Sequence, residues 1–227
     1  MASTPIELQR ISRMNEYTSP DYKRVALLTI DVQRDCTTPG APIEIPGTID
    51  VLPKIQSVVQ AFRSSQRPII HVVRLYSPDG SNADACRRKI IELGKQILAP
   101  ESDGAELMEE LKPTLGIRLD AANLLKGKFQ PIGSHEWIMY KPRWGAFFKT
   151  PLEKHLQDLD INTIMLCGCN FPNCPRTTIY EASERDFRIV LVEDAVSQIY
   201  KRGLQELKNI GINLINTKEA LIALAKS

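Results

Sequence analysis

Apolar runs of strand length recur along this sequence, and this pattern restricts the fold more than any other feature. Near-continuous apolar runs are typical of parallel strands that are covered on both faces. Six such runs are present, at residues 24–31, 68–75, 136–141, 162–169, 187–194 and 211–215.

Helical patterns separate several of these runs. In residues 51–65, apolar side chains recur at the spacing of a single helix face. Alternating strands and helices predict an α/β fold, in which right-handed crossovers join the strands of an open sheet. Further helical patterns lie at residues 84–98, 152–159, 175–185, 204–209 and 217–226.

A length of 227 residues suits one domain with a substantial core, and we expect residues 1–227 to form it. An arm, residues 1–23, precedes the first strand. Helical patterning resumes directly after the Pro/Gly-rich stretch 39–47, so we interpret that stretch as a loop and not as a linker between domains. Residues 76–135 are predicted to form a helix-rich insertion, which either covers an edge of the sheet or acts as a lid.

Composition excludes several classes of function. Lys and Arg number 29 and Asp and Glu 27, a net charge of +2, so neither nucleic acid nor an anionic membrane is an expected partner. No apolar run approaches the roughly 20 residues that a membrane helix needs. Because the N-terminal sequence also offers no apolar core of a secretory signal, we expect a cytoplasmic protein. Its five cysteines, an odd number, favour free thiols over a disulfide framework.

Three chemically reactive residues fall at the carboxyl ends of predicted strands. Asp31 ends the first run, Lys141 ends the third, and Cys174 lies in the loop after the fourth. Ligands bind at this edge of an open parallel sheet, because loops and helix N-termini converge there. Each residue also has an ordinary structural explanation, as a turn former, a surface charge or a small buried side chain. Their joint placement favours a single site.

Cys174 stands at the start of a predicted helix, because Pro175 occupies the first helical turn. We expect the helix dipole and a nearby cation to lower the pKa of the thiol from about 8.5, which makes it a nucleophile at neutral pH. Lys141 supplies the cation and Asp31 the base. These residues form a Cys-Lys-Asp triad that requires no histidine.

A metal or redox site formed by Cys167, Cys169 and Cys174 is the main alternative for the cysteines. Strand alternation places Cys167 and Cys169 on one face, and no fourth ligand is near in sequence. We therefore predict no metal and no cofactor.

Six further side chains near the strand ends or the triad are candidates for substrate binding. An arginine presents a planar fork that suits a carboxylate or a phosphate, and aromatic rings suit an apolar pocket wall. A salt bridge for each arginine and core packing for each aromatic ring stay open as alternatives. The six residues are Arg74, Arg143, Trp144, Phe147, Phe171 and Arg176.

Three segments resemble the isochorismatase-like cysteine hydrolases, a family that includes nicotinamidases and N-carbamoylsarcosine amidases. LLTIDVQRD matches a strand followed by D-x-Q-x-D, with Asp31 at the family's catalytic acid and Gln33, a further candidate for substrate binding, at its usual companion. YKPRWGAFFKTPLEKHL places Lys141 at the catalytic lysine. LCGCNFPNCPRTTIYEASERDFRIVLVEDAVS places Cys174 at the nucleophile.

The resemblance implies a three-layer fold, a six-stranded and mostly parallel open sheet with helices on both faces. It also implies that Cys174 attacks a carbonyl, that ammonia or an amine leaves, and that water releases the acyl enzyme. A cis peptide bond is implied between Cys169 and Asn170, with the amides of Asn170 and Cys174 as oxyanion donors. A small-molecule substrate and a homodimer or homotetramer are expected on the same ground.

Three departures from the family pattern separate this chain from known members. The stretch NFPN before Cys174 and the residue Pro175 after it are unusual, and the D-x-H…H metal site of nicotinamidases is absent, since no histidine lies between Asp31 and His71. The presence of Cys174 favours hydrolysis of a C–N bond in an amide, ureide or carbamoyl compound. Two alternatives stay open: hydrolysis of another bond, such as an ester, lactam or isochorismate-type ether, and a binding module without turnover.

Overall fold

One mixed sheet runs through the protein, whose computed structural model describes residues 15–227. Of the predicted arm 1–23, residues 1–14 therefore lie outside the described residues. Within the described residues the sheet has seven strands. In chain order they are β1 (Val25–Ile30), β2 (Ile69–Val73), β3 (Gln130–Gly133), β4 (Glu136–Tyr140), β5 (Thr163–Gly168), β6 (Arg188–Val196) and β7 (Asn213–Ile215).

The strand order in the sheet is β3-β4-β2-β1-β5-β6-β7. Every neighbouring pair is parallel except β3 and β4, which are antiparallel. Each of the six apolar runs overlaps one of the strands other than β3, so the predicted α/β class with a mostly parallel sheet is confirmed. The sheet has one strand more than expected, because β3 (sequence QPIG) alternates between partly buried and exposed positions and contains no apolar run.

Eight α-helices accompany these strands in residues 15–227, and each predicted helical pattern overlaps one of them. None is long and apolar enough to cross a bilayer. Three 3₁₀ turns lie at Tyr22–Arg24, Asp103–Ala105 and Glu109–Leu111. The helices are α1 (Arg34–Thr37), α2 (Thr48–Ser64), α3 (Ala85–Glu92), α4 (Ala121–Leu124), α5 (Leu152–Asp158), α6 (Cys174–Ser183), α7 (Lys201–Asn209) and α8 (Thr217–Ala225).

The centre of the sheet explains the continuous apolar runs, because every residue of β1, β2 and β5 is buried. Helix α2 covers it with the apolar face predicted from the sequence, and Leu52, Ile55 and Phe62 on that face are almost fully buried. The same helix packs against α8 and β6. Each such side chain contributes about 1.5–3 kcal/mol on burial, so this face holds the helix to the sheet.

Residues 76–135 contain little helix, so the expectation of a helix-rich segment was wrong. The helix expected over 84–98 ends at Glu92, because the left-handed Gly94 (φ 85°) follows just beyond it. The segment does cover part of the sheet, since its buried apolar residues pack with those of β2 and β4. These residues are Ala105, Leu107, Leu119, Ala121 and Leu124.

Candidate active site

The carboxyl ends of β4, β2 and β1 lie side by side, and backbone hydrogen bonds fix the residues that follow them. The amide of Asp31 donates to the carbonyl oxygen of Val72 at 2.9 Å, and the amide of Lys141 donates to that of Val73 at 3.0 Å. Asp31 and Lys141 therefore flank the end of β2. Asp31 has a left-handed backbone (φ 54°), which is uncommon for a residue other than glycine and concentrates at functional sites.

Gly168, the last residue of β5, allows the chain to lie close to the end of β1 before it continues to Cys174. At this position the Cβ of any other residue would lie 2.3 Å from the carbonyl oxygen of Ile30, and its φ of 120° disfavours L side chains. The amide of Cys169 donates to the same oxygen at 2.9 Å. The peptide bond between Cys169 and Asn170 is cis, as the resemblance implies. Cys174 then begins α6.

Lys141 joins the other two members of the predicted triad. Its Nζ lies 3.0 Å from Oδ2 of Asp31 and 3.3 Å from Sγ of Cys174. It also donates to the carbonyl oxygen of Arg143 at 3.2 Å. Asp31, Lys141 and Cys174 are 5%, 1% and 7% exposed, respectively. The structure thus brings all three residues together in one nearly dry cluster.

The environment of Cys174 favours the neutral form of its thiol. Burial and the carboxylate of Asp31 raise its pKa above the usual range, and Lys141 offsets this only in part. Burial opposes the charge of Lys141 too, but the attraction of Asp31 and Cys174 outweighs burial and raises the pKa of the lysine. This direction is opposite to the lowered pKa expected from the sequence, because burial beside the Asp31 carboxylate outweighs the attraction of Lys141.

Two backbone amides near the sulfur have no acceptor among residues 15–227. They belong to Asn170 and Cys174, which both line the cavity at the triad. Cys174 is the first residue of α6, where helix amides are unpaired and the helix dipole is positive. The side chain of Asn170 is engaged elsewhere, since its Nδ2 donates to Oε1 of Gln198 at 2.8 Å. The two amides meet the chemical requirement for stabilising a negatively charged oxygen.

A cavity of about 70 Å³ adjoins the triad. Drug-sized ligands occupy pockets of about 300–1,000 Å³, so this cavity accepts only a much smaller molecule. Side chains that follow β1, β2, β4 and β5 line it together with side chains from residues 76–135. Besides the triad, its polar wall consists of Arg74, Tyr76, Asp84, Arg87, Asn170 and Asn173.

Arg74 organises one side of this wall. Its guanidinium group donates to the carbonyl oxygens of Lys141 and Asn82, both at 3.0 Å, and to Oδ2 of Asp84 at 3.1 Å. It also lies over the ring of Tyr76, with 4.5 Å between the guanidinium carbon and the ring centroid. Arg74 therefore links the end of β4 to the start of α3.

Sequence reasoning missed Tyr76, Asp84 and Arg87 as residues of the site. They belong to the part of the chain where strand and helix patterns are weakest. The one available signal was the start of the predicted helix at Asp84, where two charged residues, Asp84 and Arg87, stand one helical turn apart.

Of the predicted substrate-binding side chains, Arg74 and Trp144 line the cavity. Gln33 is fully buried behind it and joins Arg74 to the segment 76–135. Its Nε2 donates to the carbonyl oxygens of Arg74 at 2.9 Å and of Ala105 at 2.6 Å. Arg143 donates to a carbonyl oxygen of the same segment at 3.0 Å. Gln33 and Arg143 thus support the wall without lining it.

Phe147, Phe171 and Arg176 do not line the cavity. Both phenylalanines are buried in the main hydrophobic core. Arg176 forms an ion pair with Glu206 of α7. Nearness in sequence to a triad member does not fix the direction of a side chain, because neighbouring side chains of a helix or a turn point in different directions.

Cys167 and Cys169 do not share a surface, although strand alternation predicts one face for both. Cys167 lies in the main core, whereas Cys169 lies in a smaller cluster with Cys36 and Leu98. Burial raises the pKa of the Cys167 thiol. Across residues 15–227, no group of three or more His, Cys, Asp or Glu side chains is arranged to hold a metal ion.

Comparison with known proteins supplies the family. The family model described as the isochorismatase domain matches residues 25–119 and 122–219. The chain belongs to the isochorismatase family. The predicted resemblance is thereby confirmed, and the match includes Asp31, Lys141 and Cys174.

Relatives in this family are similar to the chain over most of their length. The chain is 26% identical over 196 residues to a probable inactive nicotinamidase of Arabidopsis thaliana, and the match covers 84% of this chain and 91% of that protein. It is 24% identical over 175 residues to a maleamate amidohydrolase of Pseudomonas putida, with 77% and 72% covered. An isochorismatase family protein from Desulfovibrio vulgaris has a TM-score of 0.76 and 27% identity, with 89% and 98% covered.

Proposed function

We propose that this protein is a cysteine-dependent hydrolase that cleaves a C–N bond in a small molecule. One observation carries the proposal: the Nζ of Lys141 lies within hydrogen-bond distance of both Asp31 and Cys174, in a buried cluster that borders a cavity. A nucleophile, a base and a cation meet there at the place where a ligand has access. The amidohydrolase and the nicotinamidase among its relatives support the same class of bond.

In the first step, Sγ of Cys174 forms a bond to the substrate carbonyl carbon while its proton passes to Asp31. The carbonyl π electrons move to the oxygen, which the amides of Asn170 and Cys174 bind. The Oδ1 of Asp31 suits this transfer, because it is buried and has no hydrogen-bond partner among residues 15–227. Proton transfer from thiol to carboxylate leaves the net charge of the triad unchanged, so it avoids a large desolvation cost.

In the second step, the C–N bond breaks and the leaving nitrogen takes the proton from Asp31, which leaves a thioester on Cys174. Water then attacks the thioester carbon while Asp31 accepts one of its protons. When the C–S bond breaks, the sulfur takes that proton back and the acid product departs. Lys141 keeps its proton throughout and stabilises negative charge on Asp31 or on sulfur in turn. Each oxyanion donor supplies about 3–4 kcal/mol of barrier reduction in sites of this kind.

The test is intact-protein mass spectrometry and product analysis with a panel of small primary amides, ureides and carbamoyl compounds. We expect turnover, an acyl adduct on Cys174, and a loss of at least about 10³-fold in rate for Cys174→Ala. Cys86→Ala is the matched control, because Cys86 is an exposed thiol and should leave the rate unchanged. An adduct on another residue, or full activity of Cys174→Ala, contradicts the assignment.

A binding module without turnover is the second candidate, since one relative carries a name that marks it as probably inactive. It predicts thermal stabilisation by a compound of the panel with no product and no adduct. The same experiment therefore separates the two functions.

A further inference from the structure

Charge pairing accounts for all but one of the charged side chains in the cavity wall. Five charged residues line the cavity. The carboxylate of Asp31 is matched by Lys141 at 3.0 Å, and the carboxylate of Asp84 is matched by Arg74 at 3.1 Å. The fifth, Arg87, forms no ion pair and no side-chain hydrogen bond with any residue of 15–227.

Arg87 is well placed to meet a ligand. It lies in the first turn of α3 and is partly buried, whereas its neighbour Arg88 is exposed. A cation on the wall of a small, partly dry cavity attracts an anion more strongly than one in open water, because less solvent screens it. The planar guanidinium group suits a carboxylate, with which it forms two parallel hydrogen bonds.

Asp84 provides an independent sign that this end of the cavity faces a ligand. The residue is 5% exposed and lines the cavity, yet its Oδ1 has no hydrogen-bond partner within residues 15–227. A buried carboxylate oxygen without a donor is costly unless a ligand supplies one. The amide of Arg87 donates to the backbone oxygen of Asp84 at 2.8 Å, so the two residues stand next to each other. A ligand with both an N–H group and a carboxylate satisfies both.

We propose that Arg87 binds a carboxylate of the substrate, and that the preferred substrates are small amides carrying this second, negatively charged group. This inference rests on the proposed function and names its substrate class. The triad occupies one part of the cavity wall and Arg87 another, so the reacting carbonyl and the carboxylate belong to one short molecule. The cavity volume of about 70 Å³ likewise favours a small molecule.

The experiment compares three acids, oxamate, malonamate and succinamate, with the uncharged diamides oxamide, malonamide and succinamide. In each pair the amide and the chain length are the same, and only the carboxylate differs. We expect at least about 10-fold higher kcat/KM for one acid than for its diamide, which is the usual effect of one charge-assisted hydrogen-bonded pair. The acid of best-fitting length also reports how far Arg87 lies from the scissile carbonyl.

Variants then assign this preference to the residue. Arg87→Gln should raise KM for the preferred acid by about 10-fold or more and leave the diamide within about 2-fold of the wild type. Arg87→Lys should retain part of the preference, because it keeps the charge and loses the fork. The matched control is Arg88→Gln, which removes the same charge from an exposed position of the same helix and should change neither substrate.

Binding is measured separately, by the rise in melting temperature with each acid for the wild type, Arg87→Gln and Arg88→Gln. Stabilisation of the wild type and Arg88→Gln but not of Arg87→Gln supports the inference even if no amide is hydrolysed, in which case only the proposed function fails. Equal kcat/KM for acids and diamides overturns the inference and leaves the proposed function standing. An equal loss of kcat/KM for the acid and the diamide in Arg87→Gln also overturns the inference. The same holds if the acids change neither the rate nor the melting temperature.

Discussion

The pH dependence of Cys174 alkylation checks the resting protonation state of the site most directly. Burial and Asp31 raise the pKa of this thiol, so it stays protonated near neutral pH. An ordinary thiol with a pKa of about 8.5 is about 3% thiolate at pH 7, and every further pKa unit lowers that fraction about tenfold. Alkylation of Cys174 at pH 7 should therefore be slower than that of an ordinary thiol, by about tenfold for each such unit.

The assay is iodoacetamide alkylation from pH 6.5 to 10, followed residue by residue with peptide mass spectrometry, with the exposed Cys86 as an internal reference. Restricted access slows the reaction equally at every pH, so the readout is the pH at which the rate levels off and not the rate itself. For Cys174 we expect the rate to keep rising beyond pH 9. The protein must stay folded over this range, which circular dichroism of the same samples monitors.

Two variants should move this profile in opposite directions. Lys141 lowers the pKa of Cys174, so Lys141→Met should shift the profile to higher pH. Asp31 raises the pKa of Cys174, so Asp31→Asn should shift the profile to lower pH. A profile of the wild type that levels off below pH 8, or shifts of the opposite sign, would refute the reasoning and would indicate a thiolate–lysine pair in the resting protein.

Three further predictions concern stability. Gly168→Ala should lower the free energy of unfolding, measured by chemical denaturation, by about 3 kcal/mol or more, because the added Cβ meets the carbonyl oxygen of Ile30. The control Gly127→Ala, at a glycine that is also left-handed but has open space around it, should lower it by only about 1–2 kcal/mol. Equal losses in the two variants contradict the steric argument. Because burial raises the pKa of Cys167, its neutral thiol contributes stability that is full below about pH 8.5 and is lost as the pH rises. Cys167→Ala should therefore make the alkaline decline of the unfolding free energy shallower, by up to about 1.4 kcal/mol per pH unit. An unchanged slope contradicts this. Burial raises the pKa of Glu136, but its hydrogen bonds to Arg63 and His71 outweigh burial and lower the pKa overall, so its contribution to stability is full above about pH 4.3 and is lost on acidification. Glu136→Gln should therefore lower the free energy of unfolding at pH 7 by about 3–5 kcal/mol and make its decline in acid shallower. A parallel acid decline in the variant and the wild type contradicts this.

The positions of all described strands except β3, and of the three triad residues, follow from local sequence. Strands buried on both faces require continuous apolar runs, so β1, β2 and β5 are visible in the sequence without any alignment. Reactive residues at the ends of such runs must then share one edge of the sheet. Asp31, Lys141 and Cys174 could be placed together on this ground, before any distance was known.

The protonation state and the cavity wall could not be predicted in the same way. The pKa of Cys174 depends on the balance of burial, Asp31 and Lys141, and that balance is set by distances and solvent access in the folded protein. The sequence shows the helix start and the cation but not the depth of the site. The choice between a pocket wall and core packing for Phe147 and Phe171 stayed open for a related reason, because a residue's position along the chain does not show which way its side chain faces.

The charge that a substrate meets in this cavity is decided outside the triad. The triad is neutral as a unit, with one carboxylate, one ammonium and a protonated thiol, and the ion pair of Arg74 with Asp84 is neutral as well. Under the inference drawn above, the net charge of the cavity wall therefore comes from the residue that stands beside these two units, Arg87. That residue lies in the first turn of α3, within the segment 76–135, where sequence patterns are weakest. A slow alkylation of Cys174 does not by itself contradict the proposed hydrolase, since a neutral thiol is the resting state that the proposal expects.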